Sequence, residues 1–283
     1  MSLRGLRKIA ARFLPEIIQA RVRGRLYGHY DSRLKLPVEY EENGRGGVLV
    51  LDGRVRLPFQ EDEREELQHH LAGASLEETS GLLALAATAR TLFDVGAATA
   101  LYSRLFCACG PNHRAVAFEP SPSQLRRART RIAHAGCESS IELRACAVGQ
   151  APGRASVVVA DNGFAKVEEA PGGPSSVDVE ITTVDCEVER LGFDPDLLKI
   201  DVEGFEHEVL LGARRLLARR GPPICLELHL GLLERRGIAP RTVVEELATH
   251  GYSFRAHHGP DLSAADVWDS MHAILRIVAE RRP

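Results

Sequence analysis

Two acidic strand ends carry the side chains best suited to moving a proton. Residues 197–212 read LLKIDVEGFEHEVLLG, an apolar run that closes on Asp201 and Glu203 before Gly204 turns the chain into a helix-like stretch. Residues 224–229 read ICLELH, a second apolar run that closes on Glu227 and His229. Ligands of open α/β sheets bind in the crevice at the carboxyl ends of the strands, so the two segments are expected to end adjacent strands and face one substrate. Asp201, Glu203, Glu227 and His229 are the candidates to take a proton from an acceptor; Asp201 is the first choice, either orienting the acceptor or contacting an amino group of a cofactor, and His229 is the next, because histidine titrates closest to neutrality. Glu203 has a second reading, shared with Glu206 and Glu208, as an acid at the positive end of a helix dipole. Asp201, Glu227 and His229 also have the ligand types of a Mg²⁺ or Mn²⁺ site. That divalent-cation reading ranks below proton transfer, because those ions are commonly held by one or two carboxylates.

A candidate cofactor turn lies earlier in the chain, where residues 93–103 read FDVGAATALYS. Gly96 falls where the backbone must turn sharply and approach a ligand with no side chain in the way. A dinucleotide fold needs G-x-G-x-x-G at this place to bring a pyrophosphate to the helix N-terminus. Ala98 and Leu101 occupy the second and third glycine positions. This disfavours an NAD(P)-linked oxidoreductase, the alternative reading of the same sheet, and suits S-adenosylmethionine, which carries no phosphate. Glu119 ends the next strand at about the 20-residue interval at which an acidic side chain accepts hydrogen bonds from ribose hydroxyls.

These residues require a scaffold of alternating strands and helices. Strands are expected at 91–95, 115–119, 141–146, 197–201 and 223–228, with a last pair at 252–256 and 273–278. Helices are expected at 82–89, 101–109, from Ser121 onward, 205–218 and 240–249, with capping boxes at Ser75/Glu78 and Ser121/Gln124 and a stop near Gly251. Segments 155–160 and 177–182 read as an inserted strand pair around a Gly/Pro-rich turn at 171–174. The alternation implies right-handed crossovers and a doubly wound, mostly parallel α/β sheet. Asp52-Gly53, between two alternating runs, is a strong hairpin signal ahead of that domain. The adjacent pairs His69-His70 and His257-His258 are expected on the surface.

Taken as a set, FDVGAATALYS at 93–103, AFEPSPSQL at 117–125, ACAVG at 145–149, LLKIDVEGFEHEVLLGA at 197–213 and ICLELH at 224–229 resemble the FkbM family of methyltransferases. The resemblance implies a class I methyltransferase (Rossmann-like) fold, S-adenosylmethionine as cofactor, and methyl transfer to a hydroxyl of a sugar, glycoside or natural product. It places Asp94, Gly96 and Ala97 at the methionine end of the cofactor, Glu119 at its ribose, and Cys146 and Ala147 at the adenine edge. Family members commonly read GANxG where this chain reads Gly96-Ala-Ala-Thr-Ala100. A non-catalytic, partner-binding domain that has lost its cofactor loop is the further alternative.

Bulk properties narrow the partners. With 44% hydrophobic and 27% charged residues the chain has the composition of an ordinary globular protein. A net charge of −3 gives no general attraction to nucleic acid, so a small-molecule acceptor is the expected partner. The six cysteines form no C-x-x-C pair and read as reduced, mostly buried thiols. No apolar run reaches the ~18 residues of a membrane span, and no secretory signal opens the chain, so a cytoplasmic location is expected. The first 35 residues form a basic stretch from Arg4 to Lys35, answered only by Glu16 and Asp31, with Leu3, Leu6, Ala10, Phe13, Leu14 and Ile17 at helical spacing. Residues 1–80 are read as an amphipathic helical and hairpin extension able to mediate a homodimer, and residues 81–283 as the methyltransferase domain.

Overall fold

The computed structural model describes residues 36–42, 46–159, 165–167, 176–257, 261–263 and 274–281. The helix expected in the basic N-terminal stretch, the dimer contact expected from it, and the turn expected at 171–174 fall outside these residues. No helix among the described residues is long and apolar enough to cross a membrane.

The core is an eight-stranded sheet built from β4 (Thr91–Val95), β5 (Arg114–Phe118), β6 (Ile141–Arg144), β11 (Leu197–Ile200), β12 (Ile224–Leu228), β13 (Tyr252–Arg255), β14 (Asp261–Leu262) and β15 (Leu275–Arg281). Its order is β14-β13-β15-β12-β11-β4-β5-β6, with β12, β11, β4, β5 and β6 parallel and β15 antiparallel to its neighbours. After β4 the chain builds outward through β5 and β6, then returns to the other side of β4 to lay down β11 and β12. The strand order therefore reverses between β4 and β11, and the crevice at their carboxyl ends is where such a sheet binds its ligand.

Apolar alternation explains how the helices cover this sheet. Phe93, Val95, Leu198, Ile200, Ile224 and Leu226 face α6 (Glu206–Leu211), α7 (Arg214–Arg219) and α9 (Pro240–Thr249) in one core. Leu92, Ala115, Leu197, Cys225 and Val278 face α2 (Gly73–Ala86), α3 (Leu101–Ala108) and α4 (Pro122–His134) in a second. The second face also carries Asp94, Lys199, Glu227 and Arg276, all on strands β4, β11, β12 and β15, as a polar seam through an otherwise apolar layer.

Ahead of the sheet, β1 (Val38–Glu42), β2 (Gly46–Leu51) and β3 (Val55–Gln60) form an antiparallel unit, followed by α1 (Arg64–His70). Leu49, Leu51, Leu57, Phe59 and Leu67 of this unit pack against Leu101 and Leu105 of α3. Asp52 and Gly53 both have positive φ at the β2–β3 turn, as the hairpin signal requires. A Cβ at Gly53 would meet nothing within 4 Å. Gly53→Ala is thus expected to cost only its backbone penalty of about 1 kcal/mol, a fall of roughly 2 °C in the thermal midpoint. A much larger fall would show that the turn is packed.

Several local expectations need correcting. The helix expected to start at Ser75 starts at Gly73, so Ser75 and Glu78 lie inside α2, and Glu78 is buried against the seam. Ser121 precedes α4, with Pro122 at its first position, but its hydroxyl pairs with Ser123 and caps nothing. The strand expected at 141–146 is split. β6 ends at Arg144, while β7 (Cys146–Val148) joins a separate four-stranded sheet with β8 (Gly153–Val159), β9 (Ala165–Val167) and β10 (Ser176–Thr182). The helix expected over 205–218 breaks at Gly212, where a Cβ would come within 2.1 Å of the Gly149 carbonyl oxygen. Its second half starts afresh because the Asp185 carboxylate, at the head of α5 (Val184–Leu191), accepts the amides of Arg215 and Leu216, each at 2.9 Å. The paired histidines are not simply superficial: His257 is buried against Gly81, and the His70 ring packs edge-on to Tyr102. All six cysteines are free thiols; three of them, Cys107, Cys146 and Cys225, are buried and the other three are half-buried.

Candidate active site

A cleft of about 380 Å³ opens at the β4/β11 switch point. Gly96 forms its floor because no other residue fits there. Its φ is +83°, and a Cβ would lie 1.8 Å from the Asp201 carbonyl oxygen on the neighbouring strand end. The Phe118 carbonyl accepts both the Gly96 and Ala97 amides, at 3.0 and 2.9 Å, and fixes the turn against β5. Ala98 and Ala100 follow in the left-handed region, at φ 46° and 59°. Glycine would occupy these angles without penalty, whereas alanine is strained by about 1 kcal/mol at each.

Glu119 lies across this turn at the end of β5, only 6% exposed. Its Oε2 accepts the Ala98 amide at 2.9 Å and its Oε1 the Ser121 amide at 2.7 Å. Burial pushes the carboxyl up to about 7 against the pull of those two amides, with Asp94 and Asp201 adding to the rise. Each oxygen keeps a second lone pair for a ligand donor. Beside it, Gln124 Oε1 is a buried acceptor with no partner among the described residues. Cys146, Ala147 and Val148 from β7 form an apolar wall, continued by Ala155 and Ile181 of the same small sheet. A buried acceptor pair beside an apolar slot fits a nucleoside.

The opposite end of the cleft is acidic. Glu203, at φ +52°, and Gly204, at φ +96°, make a tight left-handed turn after β11 that leaves Asp201 and Glu203 lining the cleft. His229 follows β12 and is nearly buried; its Nδ1 lies 2.8 Å from Glu206 Oε1. A carboxylate can only accept, so Nδ1 carries the proton and Nε2 is the nitrogen left to exchange one. Around Nε2 stand Glu203 Oε2 at 3.5 Å, Glu227 Oε1 at 3.6 Å and Asp201 Oδ1 at 3.9 Å. Burial disfavours the imidazolium, but the Glu206 hydrogen bond and the charges of Asp201 and Glu203 outweigh it and raise His229 to about 9. Glu227 is pushed up to about 8, mainly by burial and by the charges of Asp201 and Glu78.

The polar seam holds this cluster from beneath. Lys199, fully buried, reaches Asp201 Oδ2 at 3.3 Å and Glu78 Oε1 at 3.4 Å, and its ammonium lies 4.5 Å from the centre of the Tyr102 ring. Arg276 bridges Glu78 at 3.2 Å and Glu227 at 2.7 Å. Despite burial, those cations hold Glu78 down to about 2. Asp201, Glu227 and His229 do offer ligand atoms within 4.8 Å of one another. Lys199 already answers Asp201 and Arg276 already answers Glu227, so the cluster is better matched to a proton on His229 than to a divalent ion.

Of the residues singled out from sequence, Gly96, Glu119, Cys146, Ala147, Asp201 and Glu203 line the cleft, and Glu227 and His229 adjoin its acidic end. Asp94 and Ala97 do not line it. Asp94 is buried beneath the turn, where its Oδ2 accepts the Ser103 amide at 3.1 Å and hydroxyl at 2.7 Å; Ala97 packs into the α2/α3 core. Sequence pattern misses Gln124, in which it offers only a cap, and Glu206, in which it offers only a helix-start acid. It also misses Lys199, whose one signal is a charge in the middle of an apolar run.

A family model described as the Methyltransferase FkbM domain matches residues 94–254, more than half of the chain. No curated protein matches. Among solved structures, the chain is similar to a methyltransferase FkbM from Methylobacillus flagellatus, at 16% identity and a TM-score of 0.42, over 68% of this chain and 43% of that one. It therefore spans less than half the length of that protein. It is also similar to the O-methyltransferase TomG from Streptomyces achromogenes, at 14% identity and a TM-score of 0.45, over 80% of this chain and 92% of that one. An O-methyltransferase from Bacillus cereus aligns at 13% identity and a TM-score of 0.44, over 79% and 92% of the two chains.

Proposed function

The chain belongs to the FkbM family of S-adenosylmethionine-dependent methyltransferases, and from that premise we propose that it methylates a hydroxyl of a sugar, glycoside or natural product. The dinucleotide reading of the Gly96 turn falls with the family assignment. The observation that carries the proposal is the Glu206–His229 pair, which leaves an imidazole nitrogen next to the cleft with a fixed tautomer. When bound, S-adenosylmethionine supplies a methyl group on a positively charged sulfur that departs as a neutral thioether.

The residues divide the work as follows in this reading. Glu119 and Gln124 receive the ribose side, Cys146 and Ala147 flank the adenine, and Gly96 and Ala98 leave room for the methionine end. Asp201 and Glu203 orient the acceptor hydroxyl, Glu227 completes the polar wall, and Nε2 of His229 takes the hydroxyl proton as the oxygen attacks. Positioning supplies most of the rate enhancement in such a displacement, and the base adds the proton transfer. Incubation with methyl-labelled S-adenosylmethionine and a panel of glycosides and polyhydroxylated compounds is expected to give O-methyl products. Label found only on nitrogen would overturn the hydroxyl assignment.

The Glu119 role predicts a pH dependence of binding. Ribose hydroxyls donate to an ionised carboxylate, while the free protein holds Glu119 protonated below about 7. Binding must then expel that proton, so the S-adenosylhomocysteine dissociation constant is expected to rise about tenfold from pH 8 to pH 6. Calorimetry on Glu119→Gln should give a flat profile. A flat profile in the unmodified protein would remove Glu119 from the ribose site.

A further inference from the structure

The cofactor turn is held in place from a part of the chain that lies before the methyltransferase domain. The side chain of Thr99, between the two left-handed alanines, is buried and donates its hydroxyl to Glu66 Oε1 of α1. The other oxygen of Glu66 accepts Nη1 of Arg131, from α4. Arg131 also lies 3.6 Å from Glu63, whose carboxylate takes Nη2 of Arg104 at 2.6 Å; Glu63, Arg104 and Arg131 are all buried. This chain of charges ties α1 to α4, the helix that follows β5, the strand on which the cofactor turn is fixed, and to α3, the helix that follows the turn itself.

We propose that Glu66 and Thr99 are positioning residues for the cofactor: α1 imposes from outside the turn geometry that glycines at 98 and 100 would allow unaided. A turn with two strained alanines returns to extended conformations unless neighbouring groups overdetermine it. Two carboxylates grip it, Glu119 on the Ala98 amide and Glu66 on the Thr99 hydroxyl. Arg131 keeps Glu66 ionised and aimed, because Thr99 and Arg131 together lower its carboxyl despite burial. The N-terminal sheet adds to the grip through Leu101 and Leu105, the first apolar residues after the turn. Neither residue need touch the cofactor for the effect, which acts through the backbone at 98–100.

The proposal rests on the cleft being the cofactor site, and its test separates the two. S-adenosylhomocysteine is titrated calorimetrically into the full-length protein and into Thr99→Val, Thr99→Ser, Glu66→Ala and the Thr99→Val/Glu66→Ala double variant. Thr99→Val keeps the side-chain shape and removes only the donor, so it stays folded even where Glu66→Ala, which strands Arg131, does not. The expected result is a dissociation constant about tenfold higher for Thr99→Val, the loss typical of a hydrogen bond to a charged group. Thr99→Ser should restore it, and the double variant should be no worse than the weaker single one. In turnover, KM for S-adenosylmethionine should rise while kcat at saturating cofactor is kept. Unchanged affinity in Thr99→Val would overturn the proposal while leaving the cleft intact. Absence of binding to the unmodified protein would overturn the cleft assignment and the proposal with it.

Discussion

His229→Asn is expected to lower kcat/KM about 10³-fold, within the range for loss of a positioned general base. Asparagine keeps a donor near the position of Nδ1, so the contact to Glu206 and the local fold survive while the proton acceptor is lost. The pH profile distinguishes this from a packing defect. His229 accepts a proton only when its Nε2 is bare, and the surrounding carboxylates raise its pKa to about 9. In the unmodified enzyme at saturating S-adenosylmethionine, kcat/KM for the acceptor should therefore rise about tenfold per pH unit through neutrality and level off above about 9. The variant should lose that slope along with the rate. Glu206→Gln should keep the base but weaken the charge that raises it, moving the plateau to lower pH. A variant at position 229 with full activity would shift the proton transfer to Asp201, whose replacement by alanine would then abolish turnover.

Gly96→Ala is expected to have the largest effect on the fold. The added methyl would fall 1.8 Å from the Asp201 carbonyl oxygen and 2.8 Å from its carbon, both backbone atoms that cannot rotate away. The residue would also have to hold φ +83°, which L side chains rarely adopt. Relief requires β4 and β11 to separate at the switch point. A loss of at least about 3 kcal/mol of stability is expected, together with loss of S-adenosylhomocysteine binding. Thermal unfolding beside Gly53→Ala, where the methyl meets open space, isolates the steric part. Equal midpoints for the two variants would show that the strand ends are not in contact.

Those two residues also mark how much was legible in the sequence. β4 and α9 have the ends that local pattern assigns them, because a short apolar run and a proline-led amphipathic helix are each decided within a few neighbours. Gly96 and Glu119 were visible because the spacing between a strand-end turn and the next strand end is set by one crossover. Glu206 was not, because its partner lies 23 residues away on another strand end. The Ser75/Glu78 capping pattern was real as a pattern, but Glu78 gains more by facing Lys199 and Arg276 across the sheet than by capping its own helix. Adjacent histidines read as surface residues because neighbours do not face the same way, yet that same rule lets one of a pair be buried, as His257 is in the turn after β13. The grip of Glu66 on Thr99 crosses 33 residues and depends on how a separate sheet docks, which no local pattern records.

The structure of the S-adenosylhomocysteine complex tests the account most directly. The prediction is adenine against Cys146 and Ala147, ribose hydroxyls on Glu119, and the sulfur directed toward Asp201, Glu203 and His229. A nucleoside bound with its sulfur turned away from that cluster, or bound outside the β4/β11 cleft, would contradict it.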